Sequence, residues 1–162
     1  MTTSAPTRTV ADLSYLLTHA GHVLSTQMTA AFSELGITPR GYCVLFHALE
    51  AERTQIELAE ISDLDKTTMV VTVDQLEKAG LAERRPSSTD RRARIISVTE
   101  EGARVVEAGT RIGDRVHRDV LEALPEQHRE VFVDALTRLA EGHLSTPAES
   151  PRPVRRARQK RI

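Results

Sequence analysis

The feature that most constrains this chain is a run of arginines around a short turn within residues 83–102, which read ERRPSSTDRRARIISVTEEG. The five arginines of this run are Arg84, Arg85, Arg91, Arg92 and Arg94. Residues 86–90 have the Pro, Ser, Thr and Asp content of a turn, and the β-branched residues 95–98 are typical of a strand. The pattern predicts a β-hairpin whose cationic tip suits the phosphates and narrow minor groove of a duplex, with a solvated surface hairpin as the alternative.

Two short helices are predicted immediately before this hairpin. Thr54 and Glu57 have capping-box spacing, so one helix begins at Thr54 and ends at residues 62–63. Asp65 is placed to cap a second helix that runs to about Lys78 and is stopped by Gly80. Its inner face is predicted from Met69, Val73 and Leu76, and its outer face from Thr67, Thr68, Val71, Asp74, Gln75 and Lys78. The local propensity of residues 67–73 favours a strand, but we predict a helix because the caps, the length and the helical period agree with each other. The two helices and the arginine hairpin together predict a winged helix-turn-helix.

Residues 58–102 resemble the central signature of the MarR family of bacterial transcriptional regulators. The matching motifs are LDKTT at the start of the second helix, LEKAGL at its exit, DRR in the hairpin and TEEG at the next helix. The resemblance extends over most of residues 8–144. It implies a mainly α fold with a small β-hairpin wing, in which a winged helix-turn-helix core is joined by N- and C-terminal dimerisation helices. It also implies an obligate homodimer, with a monomer as the alternative.

Domain limits follow from the same patterns. Residues 1–8 are expected to be a flexible N-terminus, and 9–144 the dimer subunit. Within it, 38–99 form the DNA-binding lobe, while 9–35 and 100–143 supply the dimerisation helices. Pro125 is expected to start the last helix, after one that runs towards Leu124 with an apolar stripe of Ala103, Val106, Ile112, Val116 and Val120.

Charge is divided unevenly along the chain, whose formal net charge is only −1. Residues 145–162 hold six Arg or Lys and one Glu, so this segment carries +5 and the rest of the chain −6. The three prolines and dense charge of this tail predict disorder, and it either adds non-specific phosphate contacts or has no role. The single cysteine excludes an internal disulfide framework. No apolar run is long enough to span a membrane and no signal peptide is visible, so a cytoplasmic protein without membrane contact is expected.

DNA contacts are predicted on the second helix and on the wing. The helix residues are Lys66, Thr67, Thr68, Val70, Val71, Gln75 and Lys78, and the wing residues are Arg84, Arg85, Ser87, Ser88, Asp90, Arg91, Arg92 and Arg94. Thr67, Thr68 and Gln75 are best placed to reach bases, whereas Lys66 and Lys78 suit phosphates. Arg91 and Arg92 are expected in the flanking minor groove, and the resemblance implies that Asp90 orients Arg92. The partner is therefore a palindromic operator in double-stranded DNA.

Val70 and Val71 depart from the family, which usually carries a polar residue and an arginine or similar group at these two places. Val71 points outward by the helical count, and Val70 sits at the edge of that face. Such a pair either contacts thymine methyl groups or simply loses base-reading hydrogen bonds, and we favour the first.

The resemblance further implies repression and a crevice for a phenolic or other anionic effector. The residues predicted to line it are Tyr15, His19, His22, Cys43 and His47, although each suits ordinary packing or surface roles as well. Alternatives are a redox- or metal-responsive regulator using Cys43 and the histidines, and a non-specific architectural DNA-binding protein. No catalytic residue, cofactor or metal site is predicted, because no phosphate-binding glycine loop, nucleophile elbow or metalloprotease motif is present in the sequence.

Overall fold

The computed structural model describes residues 12–87 and 93–146, and these residues are mainly helical. The helices are α1 Leu13–Phe32, α2 Pro39–Glu50, α3 Gln55–Ile61, α4 Lys66–Lys78, α5 Glu100–Glu122 and α6 Glu126–Glu141, with a short 3-10 helix at Ser33–Leu35. Strands β1 Ala82–Pro86 and β2 Arg94–Val98 pair antiparallel, with Arg84 opposite Ile96. The fold is thus the predicted one, a helical chain with a small hairpin wing. The predicted hairpin tip with Ser88, Asp90, Arg91 and Arg92, residues 1–8 and most of the basic tail lie outside the described residues.

Four polar side chains set the starts of the helices around the wing. Thr38, Thr54, Asp65 and Thr99 each accept a hydrogen bond from the backbone N–H two or three residues further on, at 2.9–3.3 Å. These bonds satisfy N–H groups that have no partner within the helix itself. The starts of α2, α3, α4 and α5 therefore agree with the capping patterns of the sequence.

The outer helices differ from the predictions at their ends. The first helix begins at Leu13 rather than at residue 9, because Asp12 is extended and its carboxylate accepts the N–H of Tyr15. It ends at Phe32, after which residues 33–35 tighten into a 3-10 turn closed by Gly36 in the left-handed region. The fifth helix stops at Glu122, short of Leu124, and Pro125 is the extended residue before α6 rather than its first helical residue.

The chain divides into two compact units, residues 1–119 and 120–162. The core of the first unit is apolar and lies between α2, α3, α4, the wing and the first half of α5. Its buried members are Val44, Leu45, Ala48, Leu58, Met69, Val73, Leu76, Leu81, Ala82, Ile96 and Val106. In the second unit no residue of α6 is buried. None of the described helices combines the length and apolar character needed to cross a bilayer.

A short extension of the wing was not predicted from the sequence. The N–H of Ile96 donates to the carbonyl of Arg53 at 3.2 Å, and Thr54 forms an isolated bridge with Ile95. The residues that lead into α3 therefore run beside β2 as a minimal third strand. This pairing attaches the wing to the start of the helix-turn-helix.

The first half of α5 packs through glycine as well as through Val106 of the predicted apolar stripe. Gly102 faces the Leu81 carbonyl so closely that a Cβ would overlap it, and a Cβ at Gly109 would lie 2.5 Å from Cδ2 of Tyr42. Of the predicted stripe, only Val106 is fully buried. Because two glycines remove the side chains from this face, the backbone of α5 approaches the lobe directly.

Candidate nucleic-acid interface

The helix α4 presents two different faces, and the outer one carries the residues predicted to contact DNA. Met69, Val73 and Leu76 are buried, as expected from the sequence. Among the predicted contact residues of α4 other than the valines, Thr68 is half-buried. The exposed ones are Lys66, Thr67, Gln75 and Lys78. The outer face thus offers two ammonium groups, hydroxyls and an amide, which are donors and acceptors that suit phosphates and base edges.

The two valines are unequal members of this face. Val71 is 50% exposed and Val70 is 37% exposed, so both reach the surface and Val71 reaches further. Val71 thus presents apolar surface on the same side of α4 as the exposed Thr67 and Gln75. Its geometry suits an apolar contact with a partner, as the sequence suggested.

The start of α4 is fixed by Asp65. Its Oδ1 accepts the N–H groups of Thr67 and Thr68 at 2.9 and 3.0 Å, and its Oδ2 accepts the Thr68 hydroxyl at 2.5 Å. The Thr68 hydroxyl and then the two N–H groups stabilise the charged carboxylate, which lowers the pKa of Asp65 below its ordinary value. Thr68 is therefore already engaged within α4, so Thr67 is the freer hydroxyl of the pair for a base contact.

Glu57 completes the corresponding cap at the start of α3. Its Oε2 accepts the N–H of Thr54 at 2.6 Å and the Thr54 hydroxyl at 2.8 Å. These bonds lower the pKa of Glu57, with the backbone N–H as the largest cause. Both helices of the helix-turn-helix thus begin at caps that include a charged carboxylate, Glu57 together with the Thr54 hydroxyl in α3 and Asp65 in α4.

The turn between these helices contains the one non-glycine residue of the described chain with a positive φ, Asp63 at 50°. Asp tolerates this left-handed conformation better than most residues, and the turn is consequently tight. It sets the angle between α3 and α4, and so the presentation of the outer face.

On the wing, the predicted contact residues fall into two groups. Arg85 and Arg94 are exposed, and Arg85 forms an exposed ion pair with Glu83 at 2.8 Å. Ser87 is instead 9% exposed, and its hydroxyl donates to Oε1 of Glu52 at 2.7 Å. The Ser87 side chain therefore points towards Glu52, before α3, rather than outward.

Arg84, which the sequence predicts as a wing contact with DNA, has its side-chain partners on α4 and α3. Its guanidinium donates to Oδ1 of Asp74 at 2.6 Å and pairs with Oε2 of Glu77, so it folds back onto α4 instead of extending from the wing. The sequence held a signal for this arrangement. Asp74 and Glu77 are three residues apart on α4 and leave two carboxylates side by side on its surface.

The residues predicted to line an effector crevice are only partly brought together. Tyr15 stacks on His19 with ring centroids 5.4 Å apart, and both are exposed on α1, as is His22. On α2, the Sγ of Cys43 lies 3.8 Å from the Ser62 hydroxyl, and Nδ1 of His47 lies 3.0 Å from Oε2 of Glu50. The histidine and the cysteine thus have local partners of their own.

A groove of about 360 Å³ lies elsewhere, against the helix-turn-helix. It is lined by Gln55, Ile56, Ala59, Glu60, Asp63, Leu64, Lys66 and Met69, and by none of the five predicted crevice residues. Within residues 12–87 and 93–146, no three His, Cys, Asp or Glu side chains are grouped so that they could hold a metal ion. The metal-responsive alternative with Cys43 and the histidines therefore has no support in the described part of the chain.

Comparison with known proteins agrees with this architecture. A model of the MarR family matches residues 35–93. CouR from Rhodococcus jostii RHA1, solved bound to p-coumaroyl-CoA, is 30% identical with a TM-score of 0.72, and the alignment covers 85% of this chain and 96% of that chain. A MarR family transcriptional regulator from Rhodococcus sp. RHA1 is 30% identical with a TM-score of 0.71, over 80% and 92% of the two chains.

A further solved structure contains nucleic acid. It is the transcriptional repressor CouR bound to a 23-mer DNA duplex, 25% identical with a TM-score of 0.72, over 79% of this chain and 92% of that chain. These relatives are transcriptional regulators rather than enzymes. With its capped helix-turn-helix, hairpin wing and two relatives at 30% identity, the chain belongs to the MarR family of transcriptional regulators.

Proposed function

We propose that this protein is a homodimeric, sequence-specific DNA-binding repressor that a phenolic or anionic small molecule releases from a palindromic operator. The observation that carries the proposal is the outer face of α4, where Thr67, Val71, Gln75 and Lys78 are exposed next to the cationic wing. A helix of this width fits the major groove, and the wing then meets the flanking backbone. The repressor CouR bound to a DNA duplex supports this use of the fold.

Exposed apolar surface on the outer helices supports the homodimer. In the first unit, Phe32 is the single buried residue of α1, while Leu13, Leu16 and Leu17 of the same helix are exposed. In the second unit Val131, Phe132, Val133 and Leu136 are all exposed on α6. Surfaces of this kind are unusual on a monomer and are covered when two copies associate. Two copies then place two α4 helices in successive major grooves, about 34 Å apart.

The effector class is argued from the relatives and from side chains of α1. CouR binds p-coumaroyl-CoA, whose acyl group is a phenol and whose CoA portion is anionic. Tyr15 and His19 form an exposed stacked pair, which offers this chain an aromatic surface with a hydroxyl and ring nitrogens for a similar ligand. Binding of the effector biases the dimer against the DNA-binding arrangement by about 1–3 kcal/mol, the usual range of such couplings.

A polarization titration tests the DNA-binding part of the proposal. A labelled duplex with an inverted repeat from upstream of the gene is compared with random duplex, and a preference of about 10³–10⁷ is expected. Gln75→Ala reduces that preference, whereas Gln127→Ala, an equally exposed glutamine on α6, leaves it unchanged. Equal affinity for random duplex contradicts the proposal and supports the architectural alternative.

Sedimentation velocity tests the dimer with a matched pair of charge insertions. Phe132→Glu is expected to give a single-copy species, because it places a carboxylate in an apolar contact. Val71→Glu is expected to remain a dimer and lose DNA binding through repulsion of the phosphates. A wild-type protein that sediments as a single copy at micromolar concentration contradicts the dimer.

A further inference from the structure

We propose that Arg84 is a positioning residue, which pairs with two carboxylates of the recognition helix α4 and fixes the wing to it, rather than a residue that contacts DNA. The inference rests on the proposed DNA-binding function. It reassigns an arginine that the sequence places among the wing contacts. The observations that carry it are the partners of Arg84, their charges and their places on α4 and α3.

The side chain of Arg84 has partners on two helices. One terminal nitrogen donates to Oδ1 of Asp74 at 2.6 Å, and the other pairs with Oε2 of Glu77. Its Nε lies 3.4 Å from Oε1 of Gln55, at the start of α3. Each of the three guanidinium nitrogens thus has a partner on the helix-turn-helix, which directs the fork towards α3 and α4.

The backbone of Arg84 takes part in the same arrangement. Its N–H donates to Oε1 of Glu77 at 2.8 Å, so one carboxylate holds both the main chain and the side chain of this residue. In the strand pairing Arg84 lies opposite Ile96, which is buried in the core. The base of the wing is consequently fixed to α4 by a polar contact on one side and by apolar packing on the other.

The charges explain why an arginine is needed here. The surface of α4 carries Lys66 and Lys78, which attract phosphates, and Asp74 and Glu77, which repel them. With the guanidinium between the carboxylates, these acids are paired with a positive group before DNA arrives. One guanidinium and two carboxylates carry −1 together, and removal of Arg84 leaves −2 on the helix proposed to enter the major groove.

A double-mutant cycle separates this role from a direct DNA contact. The four proteins are the wild type, Arg84→Ala, the pair Asp74→Asn with Glu77→Gln, and the triple variant. Glu77→Gln retains an amide oxygen that accepts the Arg84 N–H, so the change is mainly one of charge. Arg84→Ala alone is expected to weaken operator binding by about tenfold or more, as is usual when a charged partner of an ion pair is left alone.

The loss of operator affinity that Arg84→Ala causes in the Asp74→Asn, Glu77→Gln background distinguishes the two roles. A positioning and charge-pairing role predicts a loss of at most about twofold there, because no carboxylate remains to be masked. A direct phosphate contact predicts the same loss in both backgrounds and a salt dependence reduced by about one unit of slope, and that result overturns the inference. Arg84→Lys is expected to bind operator little more tightly than Arg84→Ala, since an ammonium group cannot bridge both carboxylates and Gln55.

A measurement without DNA keeps this inference separate from the proposed function. Amide hydrogen exchange of residues 82–85 is expected to accelerate in Arg84→Ala by at least about threefold relative to α6, and to do so less in the neutralised background. If the wild type binds no operator but this coupling is present, the proposed function fails and the positioning role stands. If exchange in the wing is unchanged, the positioning role fails even though DNA binding persists.

Discussion

Val71 is the more exposed of the two valines on the outer face of α4. Half of the Val71 surface is exposed to water, where an apolar side chain is not stabilised. A contact with a thymine methyl group would bury this surface. If this contact forms, specificity at that position depends on one methyl group rather than on hydrogen bonds.

Val71→Ala is therefore expected to weaken operator binding by about 1 kcal/mol, or roughly fivefold, because the lost methyl groups no longer bury apolar surface. The measurement is a polarization titration on two duplexes, one natural and one with uracil in place of the contacted thymine. On the uracil duplex Val71→Ala is expected to cost nothing further. An equal loss on both duplexes excludes the methyl contact.

Asp65 links the stability of α4 to pH. Its pKa is lowered in the folded protein by the Thr68 hydroxyl and by the N–H groups of Thr68 and Thr67. Folding is therefore favoured by ionisation of Asp65 above the pKa of the unfolded chain, and this contribution is lost as the pH falls through the lower folded pKa.

The urea midpoint of Asp65→Asn is expected to lie below that of the wild type at about pH 7, with the difference shrinking as the pH falls below about 4. Asparagine keeps an acceptor for the cap, so the change isolates the charge. Thr38→Ala removes an uncharged cap from α2 and serves as the control, with the same loss at each pH. A pH-independent difference for Asp65→Asn contradicts the role of the charge.

Single residues also show where prediction from sequence stopped. The acidic neighbours Asp74 and Glu77 are visible in the sequence, but Arg84 is seven and ten residues away from them. Whether such an arginine extends towards solvent or folds back depends on the path of the turn before β1, which residue spacing does not determine. For this reason the sequence placed Arg84 on DNA and the structure places it on α4.

At the scale of elements, helix starts were predictable because a cap is a local interaction. The hydroxyl or carboxylate at Thr38, Thr54, Asp65 and Thr99 and its N–H partner lie within three residues. The packing of α5 was not predictable in this way. An amphipathic pattern registers large apolar side chains, whereas this helix approaches its neighbours where side chains are missing.

The glycines of α5 give a matched pair of substitutions. At Gly109 a new Cβ would lie 2.5 Å from Cδ2 of Tyr42 and 3.0 Å from Cε1 of Phe32, both parts of bulky rings. Gly109→Ala is therefore expected to destabilise the protein by about 1–3 kcal/mol despite the better helix propensity of alanine.

At Gly113 the nearest atom to a new Cβ would be Cε of Met28, 3.9 Å away, which is ordinary contact. Gly113→Ala is therefore expected to stabilise the protein by up to about 1 kcal/mol. Urea denaturation at one fixed protein concentration measures both variants. Equal stabilisation by the two substitutions contradicts the close packing of Gly109.

At the scale of the whole molecule, two features have no role within the described part of the folded chain, namely the exposed apolar surface of the outer helices and the positive charge of residues 145–162. The sequence predicted both, because they depend on composition along a segment rather than on a particular contact. Neither the operator nor the effector was predictable, since each depends on the shape of a complex with another molecule.

If association covers this apolar surface, stability depends on concentration. The thermal midpoint of the wild type is expected to rise by several degrees between about 1 and 100 µM protomer, because mass action favours the folded dimer. Phe132→Glu is expected to show a midpoint that is lower and does not change with concentration. A wild-type midpoint that is constant over this range contradicts an obligate dimer.

The tail is tested by ending the chain after residue 146, which removes six basic side chains. If these make non-specific phosphate contacts, affinity for operator and random duplex falls by the same factor, and the slope of log affinity against log salt decreases by at least about one. The preference for operator is expected to remain. A truncated protein with unchanged affinity and slope assigns no DNA-binding role to the tail.

The glycine contacts of α5 have a mechanical consequence. Where a side chain separates two elements, a rotamer change can absorb small shifts, but at Gly102 the backbone of α5 faces the Leu81 carbonyl with nothing between them. Displacement of this part of α5 must therefore push on the residue that leads directly into β1. We therefore expect a shift of α5 at Gly102 to reach β1 without being absorbed by an intervening side chain.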